Sequence, residues 1–363
     1  MNIRLMKQVD ATLGRLCARL LPAASPSRQA ASCAHVLVIR PGGIGDAVLL
    51  APAVREFKKK YPDAVLTVLA ERRNAGVCAL IPAVDQVLRY DLPAELFAAF
   101  RLRPDVVIDT EQYHRLSAVV AAALGAAVRI GFAANERARL FHHAIPYSHD
   151  DYEIDSFFHL LAPLNVAQPP RVDLPFVSVP VEYQALADQL LAPLAGAPFV
   201  VLFPGASIPE RRWEMGRWQQ VAAGLIRLGY QSVIVGGTED AAAGETIVRS
   251  VPTGSLNLAG KTSLAGTAAI VQRAALLISG DSGVLHLGVG LDIPTVSLFG
   301  PGRAKKWAPR GERHVVLNKH LPCSPCTTFG YTAPCPQHAA CLQQISPEWV
   351  LESAAALLSK TAR

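Results

Sequence analysis

The stretch ALLISGDSGVLHLGVGLDIPTVSLFGP, running from Ala275 to Pro301, decides the fold. Leu276-Leu277-Ile278-Ser279 is a short apolar run without helical spacing, and Gly280-Asp281-Ser282-Gly283 turns the chain into an apolar segment that reaches Gly290. A second run, Thr295-Val296-Ser297-Leu298-Phe299, follows Pro294 and stops at Gly300-Pro301. The unit reads as strand, tight turn, helix and strand, closed by a right-handed crossover. N–H groups at the helix start lack partners inside the helix and carry partial positive charge, so the turn suits an anion such as a diphosphate. The small residues Ser282 and Gly283 let it come close.

The same grammar recurs upstream. Phe199–Phe203 reads as a strand, Pro204-Gly205-Ala206-Ser207 as a turn, and Trp218 to Leu228 as a helix stopped by Gly229. Ser232–Val235 is a further strand, ending in Gly236-Gly237-Thr238-Glu239-Asp240. In the first half His35–Arg40 is a buried strand, followed by Pro41-Gly42-Gly43-Ile44-Gly45-Asp46 and a helix to Lys60 that Pro52 should start or kink. Val65–Leu69 and Val106–Asp109 continue as strands, with a helix from Leu116 to Leu124. Alternation weakens from Asn135 to Val179, around Pro169-Pro170 and Pro175. The expected architecture is α/β: two Rossmann-like, doubly wound domains, 33–180 and 181–363, facing a central cleft, with a helix and linker over 1–32.

The loop at residues 40–46 lacks the glycine spacing of the dinucleotide fingerprint, and no Lys-Ser or Lys-Thr follows it as in a P-loop. What remains is a carboxylate, Asp46, at the carboxyl end of a parallel strand, the edge where open α/β sheets bind ligands. A ligand-facing base and a helix N-cap are both open readings for it. Asp109, with Thr110 and Glu111, sits on the same edge and could shape a polar pocket, or cap a turn.

The 363 residues are 51% hydrophobic and carry a formal charge of +6, so a large core and anionic partners are expected. No run of about 20 uncharged apolar residues is present to span a bilayer. Arg4, Lys7, Asp10, Arg15 and Arg19 interrupt any signal-peptide core, which points to the cytoplasm. Ile3, Met6, Val9, Leu13, Leu16 and Leu20 recur at helical spacing through that basic segment. Such a helix either packs its apolar stripe on the protein or lies peripherally on an anionic inner membrane. Four of the seven cysteines crowd into Cys323, Cys326, Cys335 and Cys341, among Pro322, Pro325, Pro334 and Pro336. Paired cysteines in a reducing compartment suit a structural Zn or Fe site, with His338 as a substitute ligand; reduced thiols, or disulfides formed on exposure to air, are the alternatives.

In the second half, Ser207 can donate a hydroxyl, Arg211 can clamp a phosphate, the turn at 281–283 offers a helix start, and Glu239 can accept from a ribose. Asp46 on the other domain would then take a proton from an acceptor hydroxyl. The loop Arg40–Asp46, Pro204-Gly205-Ala206 with Arg211-Arg212-Trp213, Asn257–Thr262, Gly280–Gly283 with His286, and Leu298–Pro301 follow one another as the motifs of glycosyltransferase family 9 do, and the chain resembles that family from about Val36 onward. The resemblance implies a GT-B fold and a metal-independent, inverting transfer of heptose from ADP-L-glycero-D-manno-heptose to an inner-core lipopolysaccharide. It implies an acceptor-binding first domain, a donor-binding second domain and no nucleic-acid partner. The family base falls on Asp46, its diphosphate pattern on Asp281, Ser282, Gly283 and His286, its hydroxyl donor on Ser207 and its ribose-binding acid on Glu239. Gly42, Gly43 and Gly45, with Asp109, would lie near the acceptor. Arg211 stands where the family usually has lysine, keeping the charge with a planar fork. The autotransporter heptosyltransferases, which look similar, carry iron at a cysteine finger. Transfer to a protein side chain, transfer of another sugar, and an inactive nucleotide- or glycan-binding protein are the alternatives.

Overall fold

The computed structural model describes residues 8–25, 30–328 and 331–361. The chain divides into two compact units, Met1–Phe176 and Val177–Arg363, each built on one all-parallel sheet of six strands among the described residues. The first sheet contains β1 (His35–Ile39), β2 (Val65–Ala70), β3 (Gln86–Arg89), β4 (Val106–Asp109), β5 (Val128–Phe132) and β6 (His143–Ile145), in the spatial order β3-β2-β1-β4-β5-β6. The second contains β7 (Phe199–Phe203), β8 (Gln231–Ile234), β9 (Ser255–Asn257), β10 (Leu276–Gly280), β11 (Thr295–Leu298) and β12 (His314–Leu317), in the order β12-β11-β10-β7-β8-β9. Counted within its own unit, the second sheet has the same order as the first, the doubly wound arrangement in which ligands bind where the winding reverses. That reversal lies between β1 and β4 in one unit and between β7 and β10 in the other.

The central strands are buried almost throughout, because helices cover both sheet faces, and this is why they read as unbroken apolar runs. The helix Met215–Arg227 buries Trp218, Val221, Ala222 and Leu225, a stripe at helical spacing, against a core that also takes in Val350, Ala354 and Leu358 of the helix Pro347–Thr361. In the first unit the helix expected to run to Lys60 is two pieces, Ile44–Leu49 and Ala51–Lys60. Pro52 falls in the first turn of the second piece, where its missing N–H costs nothing.

The N-terminal segment is helical over Asp10–Gly14, with π geometry, and Arg15–Leu20. Ile3 and Met6 of the expected stripe lie outside the described residues. The helix docks on its own unit, but by the opposite face to the one its leucines suggest. Asp10, Gly14 and Ala18 are buried, while Leu13, Leu16 and Leu20 are 55%, 52% and 74% exposed. The physical reason is polar: Asp10 caps the helix Leu116–Ala123, accepting from the backbone N–H groups of Arg115 at 2.7 Å and Leu116 at 2.8 Å. Gly14 lets that close approach happen, since a Cβ there would press on Asp10, Leu116 and Arg115.

Candidate active site

The loop after β1 is held by side chains from neighbouring elements. Arg40, buried at the strand end, donates from Nε to the Pro41 carbonyl at 2.7 Å and from Nη1 to the Thr110 carbonyl at 3.0 Å. Asn74 Nδ2 donates to the Arg40 carbonyl at 3.0 Å and Arg73 Nε to the Gly42 carbonyl at 3.1 Å. Gly42 sits at φ +93°, a conformation that suits glycine alone. Gly43 is the N-cap of the helix Ile44–Leu49, and Gly45 and Asp46 fall in its first turn. Asp46 is therefore not the N-cap. Its carboxylate, 23% exposed, lies 3.9 Å from Arg40 Nη2.

Two residues that no local pattern flags stand close by. Tyr147 Oη donates to Glu153 Oε2 at 3.1 Å, and Gln112 Nε2 donates to Glu153 Oε1 at 2.7 Å. Burial, and then the negative charges of Glu153 and Asp46, push the Tyr147 phenol far above its ordinary value. Tyr147 thus stays protonated beside the Asp46 carboxylate. Its position after the short strand β6 is set by the fold, which is why sequence reading passed over it.

Asp109 does not line a pocket. It is fully buried, paired with the equally buried Arg137, and accepts the Glu111 N–H at 3.0 Å. Burial raises its carboxyl while the Arg137 charge opposes that shift. Glu111 is buried too, and burial would raise it, but His114, Arg40 and Arg137 together hold it below the usual carboxylate range. The pair fixes the end of β4 beneath the loop that carries Asp46, a structural duty that its place on the sheet edge did not reveal.

In the second unit the residues predicted around a diphosphate come from both sides of the β7–β10 reversal. Ser282 is the N-cap of the helix Gly283–Gly290: its Oγ accepts the Leu285 N–H at 3.2 Å and shares a hydrogen bond with Ser279 Oγ at 2.8 Å. The serine side chain is thereby committed to the helix, and the anion-binding capacity rests on backbone N–H groups. Arg211 closes a short 3₁₀ turn after β7, and its Nη1 lies 3.0 Å from Asp281 Oδ2. The Asp281 carboxylate, nearly buried, thereby holds the Arg211 guanidinium in place. The buried Nε of Arg211 has no hydrogen-bond partner among the described residues. Gly302 packs against Asp281 so closely that a Cβ would collide with the carboxylate. His286 is 3% exposed, in the second turn's approach to the core. Ser207 and Glu239 are exposed, each at a strand-end loop.

Asp240 was not singled out and proves to be the clasp of this edge. It accepts the Gly237 N–H at 3.0 Å, and a Cβ on Gly205 or Gly236 would strike its carboxylate, so the turns after β7 and β8 close on it. Arg212 adds to this by donating to the Ala206 carbonyl, with Nη2 at 3.3 Å.

Cys323, Cys326, Cys335 and Cys341 line one cavity of about 140 Å³, walled also by Glu210 and Pro301. Burial and then the neighbouring thiols raise Cys326 and Cys341. Among the described residues no three of His, Cys, Asp and Glu are arranged to hold a metal ion.

Two doubly wound units with this strand order have the architecture of the GT-B fold. The description of glycosyltransferase family 9 (heptosyltransferase) matches residues 98–335, and this chain belongs to that family. Lipopolysaccharide heptosyltransferase 2 of Salmonella typhimurium is 25% identical over 350 residues, which cover 90% of this chain and 99% of that protein. Lipopolysaccharide heptosyltransferase 1 of Pseudomonas aeruginosa is 26% identical over 315 residues, covering 80% and 86%. Among solved structures, E. coli ADP-heptose LPS heptosyltransferase II superposes with a TM-score of 0.76 at 22% identity, covering 91% of this chain and 100% of its own. The iron-containing dodecameric glycosyltransferase TibC of enterotoxigenic E. coli superposes at 0.60 with 16% identity, covering 94% and 78%.

Proposed function

We propose that this glycosyltransferase moves heptose from ADP-L-glycero-D-manno-heptose to a hydroxyl of an inner-core lipopolysaccharide, with inversion and without a catalytic metal. The carrying observation is the partly exposed Asp46 carboxylate, held at a winding reversal by the buried Arg40. In this reading the first unit receives the acceptor and the second the donor. Asp46 takes the proton of the acceptor hydroxyl as its oxygen attacks the anomeric carbon. The bond from that carbon to the diphosphate oxygen breaks, and ADP leaves with the electron pair. Arg211 and the N–H groups at the start of Gly283–Gly290 meet the charge that develops on the leaving diphosphate, the part a metal plays elsewhere. Glu239 receives the ribose hydroxyls, Ser207 adds a hydroxyl donor, and His286 supports the cradle from behind. The relatives named for lipopolysaccharide heptose transfer and the E. coli structure named for ADP-heptose support the choice of donor and acceptor.

The test pairs two variants. Asp46→Ala should lower heptosyl transfer by about a hundred- to ten-thousand-fold, the range for a lost general base, with ADP affinity unchanged. Arg211→Ala should weaken ADP by roughly tenfold or more, the cost of a lost charged hydrogen bond. Transfer that survives Asp46→Ala removes the base, and unchanged ADP affinity in Arg211→Ala removes the clamp.

A further inference from the structure

We propose that the exposed face of the N-terminal helix is the surface by which this protein docks on an anionic lipid bilayer. The idea rests on the reading above only in that the acceptor is lipid-linked. The helix Arg15–Leu20 and the turn before it cannot rotate to bury their leucines. Asp10 is fixed on the backbone of Arg115 and Leu116, Ala18 is wholly buried, and Gly14 fills the narrow gap between. Leu13, Leu16 and Leu20 are spaced to share one side of a helix, and all three are more than half exposed. A soluble protein with nothing on this side would lose no internal contact by making those positions polar.

Charge selects the occupant. Arg15 and Arg19 flank the leucines and are 53% and 56% exposed. These two and Arg115 have two carboxylates between them, Glu136 and the buried Asp10, so positive charge remains in excess. Arg139, also exposed, donates from Nη1 to the Ala18 carbonyl at 3.3 Å. Leucine beside arginine is the composition of a surface that sits at the level of lipid headgroups, apolar side chains inserted and guanidinium groups on phosphate. A protein partner would need acidic groups facing the same arginines, whereas an anionic bilayer supplies both phases at once.

The experiment is co-sedimentation of the full chain with phosphatidylglycerol vesicles and with phosphatidylcholine vesicles. The wild type should bind the first and bind the second weakly. Leu13→Asp/Leu16→Asp/Leu20→Asp should bind phosphatidylglycerol at least about tenfold less. Thermal melting should stay close to that of the wild type, since none of the three side chains belongs to the core cluster; Leu20→Asp alone, at the most exposed of the three, serves if the triple variant melts early. Transfer to a water-soluble, delipidated acceptor should be intact in the leucine variants, and Asp46→Ala should bind vesicles as the wild type does, so the docking surface and the catalytic reading fail separately. Equal vesicle binding by wild type and triple variant overturns the proposal. So does a wild-type dimer in light scattering that the triple variant converts to monomer, which would make the leucine face a seam between two copies.

Discussion

Arg137 and Asp109 are both shut away from water, so neither charge has solvent to return to when its partner is removed. Arg137 also donates to the Glu111 carbonyl, and its guanidinium lies 5.3 Å from the Phe141 ring centroid. Arg137→Ala should therefore destabilise the first unit by about 3–5 kcal/mol, read as a lowered urea midpoint, because it strands a buried carboxylate. Replacing both residues with apolar ones of similar size should recover much of the loss. An exposed pair such as Arg249–Glu245 should cost well under about 1 kcal/mol when broken. If Arg137→Ala behaves like that surface pair, the buried ion pair is not what fixes the end of β4.

At the scale of elements, the N-terminal helix is tied to its unit through Asp10 and Glu136. Asp10→Ala should destabilise the first unit by about 1–2 kcal/mol, the worth of a lost helix cap, visible in equilibrium unfolding. Burial pushes the Asp10 carboxyl up, but His114 and the Leu116 and Arg115 N–H groups outweigh it and leave it lowered. Glu136, receiving a backbone N–H and then Arg115 and Arg15, falls to about 2. Both groups are more acidic folded than unfolded, so their contribution is complete above the ordinary carboxylate range. It is lost as pH falls from about 4.5 towards 2. Asp10→Asn should flatten part of that slope in an acid titration followed by circular dichroism.

The two units should answer acid differently. On β12, His314 shares a hydrogen bond with Thr295 Oγ1 at 3.0 Å, and burial, with Arg313 beside it, lowers its pKa to about 4. A histidine that is less basic folded than unfolded binds more protons unfolded, so it withdraws stability as pH falls from about 6.5 to 4. All four tryptophans, Trp213, Trp218, Trp307 and Trp349, lie in Val177–Arg363. Tryptophan emission should accordingly report the second unit weakening in urea as pH falls from 6.5 towards 4, ahead of the loss of the Asp10 and Glu136 contribution in the first unit. His314→Gln should remove that dependence. An unchanged slope in the variant would assign it to another group.

The sequence alone determined the class of fold and the central strands, because β1, β4, β7, β10 and β11 are buried on both faces and need unbroken apolar runs. It also brought out the turns at residues 40–46, 204–207 and 280–283, whose glycines and small polar residues have few other uses at a strand end. The sheet edges were not legible: β3, β6 and β9 are three or four residues long and only partly buried, so their side chains carry no run or alternation. In β5, Arg129 and Gly131 break the run. Tertiary structure decided the rest. Which carboxylate stays partly open to solvent, Asp46, and which is shut in with an arginine, Asp109, depends on what lies over each strand end. Which face of the N-terminal helix is inward depends on one aspartate finding another helix's N–H groups across more than a hundred residues of chain. Periodicity records how apolar a face is, and it is silent on a polar contact made at long range.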